Sequence, residues 1–63
     1  MTQISLKQNF KMVGRQLVYE VVLMDNGMVY LMEQISGKTT PIPEFRLQEW
    51  LRLGLWEEVM NFE

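Results

Sequence analysis

Four groups of residues have types and spacings that could do chemistry. Ser36-Gly37-Lys38-Thr39-Thr40 matches the closing half of a phosphate-binding loop. The first glycine of that motif would fall at Met32, whose side chain obstructs the tight backbone turn that cradles phosphates. The lysine of such a loop also opens a helix, whereas here Pro41 and Pro43 follow. An ordinary turn is the expectation. Glu57-Glu58 is an adjacent carboxylate pair, but on a strand the two side chains point to opposite faces and cannot share one ion. Glu20 and Glu33 lie among apolar neighbours and are expected at the margin of a sheet, where water or a tyrosine hydroxyl can reach them. A carboxylate pair working as acid and base needs a cleft, which a chain this short has little room to build.

The fourth group is basic. Lys7, Lys11 and Arg15 fall within the first 18 residues, which carry no acid, while the remainder holds three cations against eight acids. A basic strand could meet nucleic acid, and these three residues are the candidate contact. Phosphate affinity comes from Lys and Arg, however, and the net charge of −2 opposes it.

The chain has no His and no Cys, which removes the usual general base, the commonest transition-metal ligand and any disulfide framework. No cofactor, no metal and no enzymatic activity are expected. The apolar fraction of 48% argues against disorder. No apolar run approaches the ~20 residues that span a bilayer, and no signal-peptide pattern opens the chain, so a cytoplasmic protein without membrane attachment is the expectation. At 63 residues, one domain spanning 1–63 is implied, near the lower limit for folding without a metal, a disulfide or a partner.

The elements follow from period and punctuation. Ile4, Leu6, Phe10 and Met12 alternate with polar residues, which predicts a first strand over about 3–13. Two runs rich in Val, Leu, Met and Tyr then flank Asp25-Asn26-Gly27, a strong hairpin signal. Its register is arguable. With a two-residue Asn26-Gly27 loop, Glu20 would face Glu33, and like charges directly opposite are destabilising. A three-residue loop with Gly27 in a bulge shifts the pairing so that Glu20 faces Met32 and Glu33 faces Tyr19. That register gathers Leu17, Tyr19, Val21, Leu23, Val29, Leu31 and Ile35 on one face. Val18, Val22, Met24, Met28, Tyr30 and Met32 go to the other, where only Glu20 and Gln34 are polar.

A turn at 36–38 leads to a fourth strand over 38–42. Pro41 lacks an N–H and marks that strand as an edge. Pro43-Glu44 opens a helix over 43–53 that Gly54 ends. Residues 55–62 are ambiguous, since Trp56, Val59 and Met60 would share a face if a helix resumed after Gly54; because Gly54 interrupts the helical pattern, a short closing strand is expected there. These elements make an α+β fold, a small antiparallel meander or partly open barrel of three to five strands with one helix in the C-terminal half. In strand count and layout it resembles the SH3-like small barrels, an analogy that carries no function.

Strands apolar on both sides are normally covered on both sides. The functional expectation is therefore a small, non-enzymatic protein-interaction module, a homodimer or a regulatory subunit docking on a larger protein. Its contact residues would be Val18, Val22, Met24, Met28, Tyr30 and Met32, joined by Trp50 and Trp56. The competing expectation is a small-barrel nucleic-acid binder using Lys7, Lys11 and Arg15. A chain of this size suits an accessory regulator of a bacterium or its phages.

Overall fold

The computed structural model describes residues 3–60. It contains β1 (Asn9–Met12), β2 (Tyr19–Asp25), β3 (Met28–Glu33), β4 (Thr39–Pro43), α1 (Glu44–Arg52) and β5 (Trp56–Glu58). The strands form one antiparallel sheet in the order β4-β3-β2-β1-β5. With α1 linking its two edges, the architecture is the small α+β, partly open barrel that the sequence implies.

The hairpin reaches the expected pairing by a different device. At its base Tyr19 faces Glu33, Glu20 faces Met32 and Val21 faces Leu31. At its tip Asp25 faces Met28, which leaves a two-residue turn. Asn26 (φ 51°) and Gly27 (φ 75°) are both left-handed, as a turn matched to strand twist requires. The extra residue predicted for the loop sits instead in β2, where the register shifts between Val21 and Leu23. This bulge keeps Glu20 away from Glu33, and it also exchanges two side chains. Met24 turns inward to pack on the core, while Leu23, expected inside, is half exposed beside Val22.

The core consists of Ile4, Phe10, Val21, Val29, Leu31 and Leu47. Fully burying each such side chain contributes roughly 1.5–3 kcal/mol, so a core of this size leaves modest stability once ordering entropy is met. The first strand is shorter than its alternation suggests. Ser5 N–H donates to Gln8 Oε1 at 2.6 Å and Lys7 adopts φ 73°, which breaks the extended run. Ile4 still reaches the core, but Leu6, on the same parity, is exposed.

Pro43 is extended and Glu44 starts the helix, its N–H donating to Gly27 O at 2.8 Å and tying the helix to the hairpin tip. The far end closes with Gly54 N–H on Leu51 O and Leu55 N–H on Trp50 O, a pair of bonds that needs a left-handed Gly54 (φ 77°). Leu47 is buried, Trp50 and Leu51 pack at the core margin, and Phe45 and Leu53 are exposed. α1 thereby covers the inner side of the sheet.

Candidate protein-interaction face

Strand alternation and pairing define what the outer side of the sheet presents. From β2 come Glu20, Leu23 and Asp25; opposite them on β3 stand Met32, Tyr30 and Met28; opposite those on β4 stand Thr39, Pro41 and Pro43. The central row, Leu23–Tyr30–Pro41, is wholly apolar apart from the tyrosine hydroxyl. Leu23 is 50% exposed and Val22 40%. Met28, Tyr30 and Met32 are partly buried, and none of them belongs to or packs on the core cluster that lies with Ile4 and Leu47 on the inner side.

The remainder of the outer side is polar. Gln34 Nε2 donates to Glu20 Oε1 at 3.2 Å and to Asn9 Oδ1 at 3.4 Å. Farther across, Lys11 pairs with Glu57 at 3.5 Å. The sheet thus has one apolar patch on its outer side, over β3, β4 and the tip of β2, bordered by a hydrogen-bonded polar strip.

Of the eight expected contact residues, five stand on or beside this patch. Val22, Met28, Tyr30 and Met32 are on it, and Val18 lies at its base, where its carbonyl accepts the Gln34 N–H at 2.9 Å. Met24 is not there, for the bulge turned it inward. Trp50 and Trp56 are on the inner side. Their rings stack at 5.3 Å and 14°, and Tyr19 tilts against Trp56 at 5.4 Å. All three aromatics pack on the core, so the tryptophans serve first to close the gap between α1 and β5. Sequence reasoning missed Leu23, Pro41 and Pro43. The prolines were legible, since alternation from Thr39 places both on the face of Tyr30.

The two prolines also determine how β4 behaves as an edge. Glu33 N–H donates to Lys38 O at 2.8 Å, and ladder bonds alternate from there. Positions 41 and 43 therefore point their nitrogens away from β3. No ladder bond is lost, and the open edge offers no donor at either position. β4 is blunted against strand addition.

The groups that could do chemistry have structural partners. Glu33 accepts the N–H of Ile35 at 2.8 Å and of Ser36 at 3.0 Å. Hydrogen bonding from the Ser36 side chain, and then from these two amides, holds its carboxyl below the ordinary value. It caps the turn at 34–36. Glu58 Oε2 accepts from Gln8 Nε2 at 3.1 Å. Lys38 follows the turn at 34–36 and leads into β4, not into a helix. Among the described residues no cluster of three or more acidic side chains is placed to hold a metal ion, and no helix is long and apolar enough to cross a membrane. Residues 6–9 and 58–60 line a shallow groove of about 210 Å3 with wide access to solvent.

Comparison of the chain with known protein families, with curated proteins and with solved structures finds no match.

Proposed function

We propose that this chain is a small, non-enzymatic protein-interaction module that docks through the outer side of β2, β3 and β4. One observation carries the reading. The central hairpin is sealed on its inner side by α1 and Ile4, while on its outer side Val22, Leu23 and Pro41 are exposed and Met28, Tyr30 and Met32 are partly exposed and stand outside the core cluster. Methionine and tyrosine enriched at the centre of a patch, with polar groups at its border, is the composition of an interface core and rim. A second copy and a larger protein are both partners of this kind.

The nucleic-acid reading draws less support. Lys11 is engaged with Glu57, which among the described residues leaves Lys7 and Arg15 as the part of an already small basic footprint without an ion pair.

The test is Tyr30→Glu against a control, Leu53→Glu, on the exposed helix end. Tyr30→Glu should abolish self-association, or retention of a partner from extract of the source cell, by at least about thirtyfold, as charge insertion at an interface centre does. Circular dichroism should stay native for both variants, and Leu53→Glu should bind as the parent does. Association that survives Tyr30→Glu, or no association of either kind, would refute the docking role.

A further inference from the structure

We infer that the free edge of β5 takes an extended basic segment of another protein as a sixth strand of the sheet, at a site separate from the apolar outer patch. β4 and β5 are the two edges of the sheet, and they are not equivalent. β4 offers no donor at Pro41 or Pro43, whereas β5 contains no proline. Toward β1, Val13 N–H donates to Leu55 O at 3.0 Å and Val59 N–H donates to Asn9 O at 2.8 Å. Antiparallel pairs alternate, so positions 55, 57 and 59 are the ones bonded to β1. Trp56 and Glu58 therefore aim their N–H and C=O groups at the open edge. None of these backbone groups has a partner among the described residues. The edge is also held in shape, because Trp56 stacks on Trp50 of α1 and Leu55 N–H donates to Trp50 O at 2.9 Å. A preformed row of donors and acceptors between alternating side chains is what strand addition uses.

Charge selects the occupant. Glu57 and Glu58 are both exposed, Glu57 on the outer side opposite Lys11 and Glu58 on the inner side opposite Phe10. Opposite charges facing each other stabilise a strand pair, and like charges destabilise it. β5 of a second copy, added about a two-fold axis at Glu57 or at Glu58, would set that carboxylate against its own mate. The chain has no two adjacent basic residues, so a copy cannot supply the complement from another segment either. An antiparallel segment that runs basic, basic, apolar from N to C does supply it. Its first residue meets Glu58, its second Glu57 and its third Trp56. The first and third also exchange backbone hydrogen bonds with Glu58 and Trp56. Each carboxylate has accepted one partner, Gln8 Nε2 on Glu58 and Lys11 Nζ on Glu57, and has room for another. The carboxylates of β5 thus exclude copies of the chain and admit a cationic strand.

The test is a titration of the parent protein with the peptide Thr-Lys-Arg-Val-Thr at low salt, followed by amide chemical shifts. The amides of Trp56 and Glu58 should move most, and binding should weaken as salt is added. N-methylation of the peptide valine removes the donor aimed at Trp56 O and should weaken binding about tenfold. N-methylation of the peptide arginine, whose N–H points to solvent, should change it less than about twofold. Thr-Glu-Glu-Val-Thr should bind at least about tenfold more weakly than the basic peptide, and Glu58→Lys should narrow that gap with circular dichroism unchanged. Absence of any shift at millimolar peptide would overturn the proposal. Equal binding of the valine-methylated peptide would also overturn it, since the contact would then be ionic adhesion without an added strand. Equal binding of the glutamate peptide would overturn the basic occupant. Shifts centred on Tyr30 instead of Trp56 would place the peptide on the outer patch and leave β5 without a ligand.

Discussion

The inner and outer sides of the β2–β3 hairpin are made of the same kinds of residue and meet opposite fates. Val21, Val29 and Leu31 are sealed inside, whereas Leu23, Tyr30 and Met32, each within two positions of one of them, lie in or beside water. Composition does not separate the two sides; cover does. α1 crosses the inner side because Glu44 is bonded to the hairpin tip and Leu47 enters the core, and Ile4 completes the seal from the other end of the chain. Nothing among the described residues returns to the outer side. The lesson is that a 63-residue chain with one short helix can close one side of its sheet, so apolar residues on the other side are surplus to its own folding.

The strongest test of that difference uses neighbours in a single strand. Leu31→Ala should cost roughly 2–5 kcal/mol, the range for emptying a buried leucine site, and in a domain this small that approaches the whole stability. Met32→Ala, one residue away, should cost less than about 1 kcal/mol to the isolated molecule. Urea denaturation of the two variants reads the gap directly. Equal losses would mean that the outer side is covered within the monomer, and the contrast would collapse.

The bulge allows a subtler test, because it sets which residues go to which side. Deleting Val22 removes the extra residue and leaves Leu23 facing Tyr30, Val21 facing Leu31 and Glu20 facing Met32 in an unbroken ladder. The variant should fold with both sides unchanged, losing on the order of 1 kcal/mol through the lost local twist. Had the extra residue been in the loop, the same deletion would slip the register and turn Val21 outward. Amide exchange at Val21 and Leu31, with cross-strand contacts between Glu20 and Met32, distinguishes the two.

That bulge also marks where the sequence stops being legible. The pairing of Glu20 with Met32 follows from like-charge avoidance, and the proline edge and the helix bounds follow from residues with a single structural meaning, whereas the closing strand rests only on Gly54 interrupting the helical pattern, because Trp56, Val59 and Met60 fit a resumed helix as well. Val21-Val22-Leu23 offers no polar break, so an inserted residue leaves no trace in its alternation, and Met24 and Leu23 are assigned to the wrong sides. Lys7 is invisible for another reason: lysine rarely adopts a positive φ, and only the Ser5–Gln8 hydrogen bonds and the tie from Lys7 N–H to Val21 O fix it there. Trp50 and Trp56 read as exposed anchors because nothing local shows that a helix and a strand separated by Gly54 will stack them together.

Glu33 stands where the two sides end, on the inner parity opposite Tyr19 yet bonded to the turn beyond the core. Its folded pKa is lowered by the Ser36 and Ile35 hydrogen bonds, so its contribution is present above the ordinary value of 4.5 and is lost as pH falls through the depressed folded value. Glu33→Gln keeps the shape and removes the charge. The parent should be the more stable at neutral pH, by a small margin because the group is exposed, and the two should converge on acidification below about pH 4.5. Denaturation midpoints of both proteins across that range supply the comparison. A constant offset at every pH would show that the shape of the Glu33 side chain rather than its charge holds the turn, since Ile35, the one apolar residue there, is 84% exposed and packs on nothing.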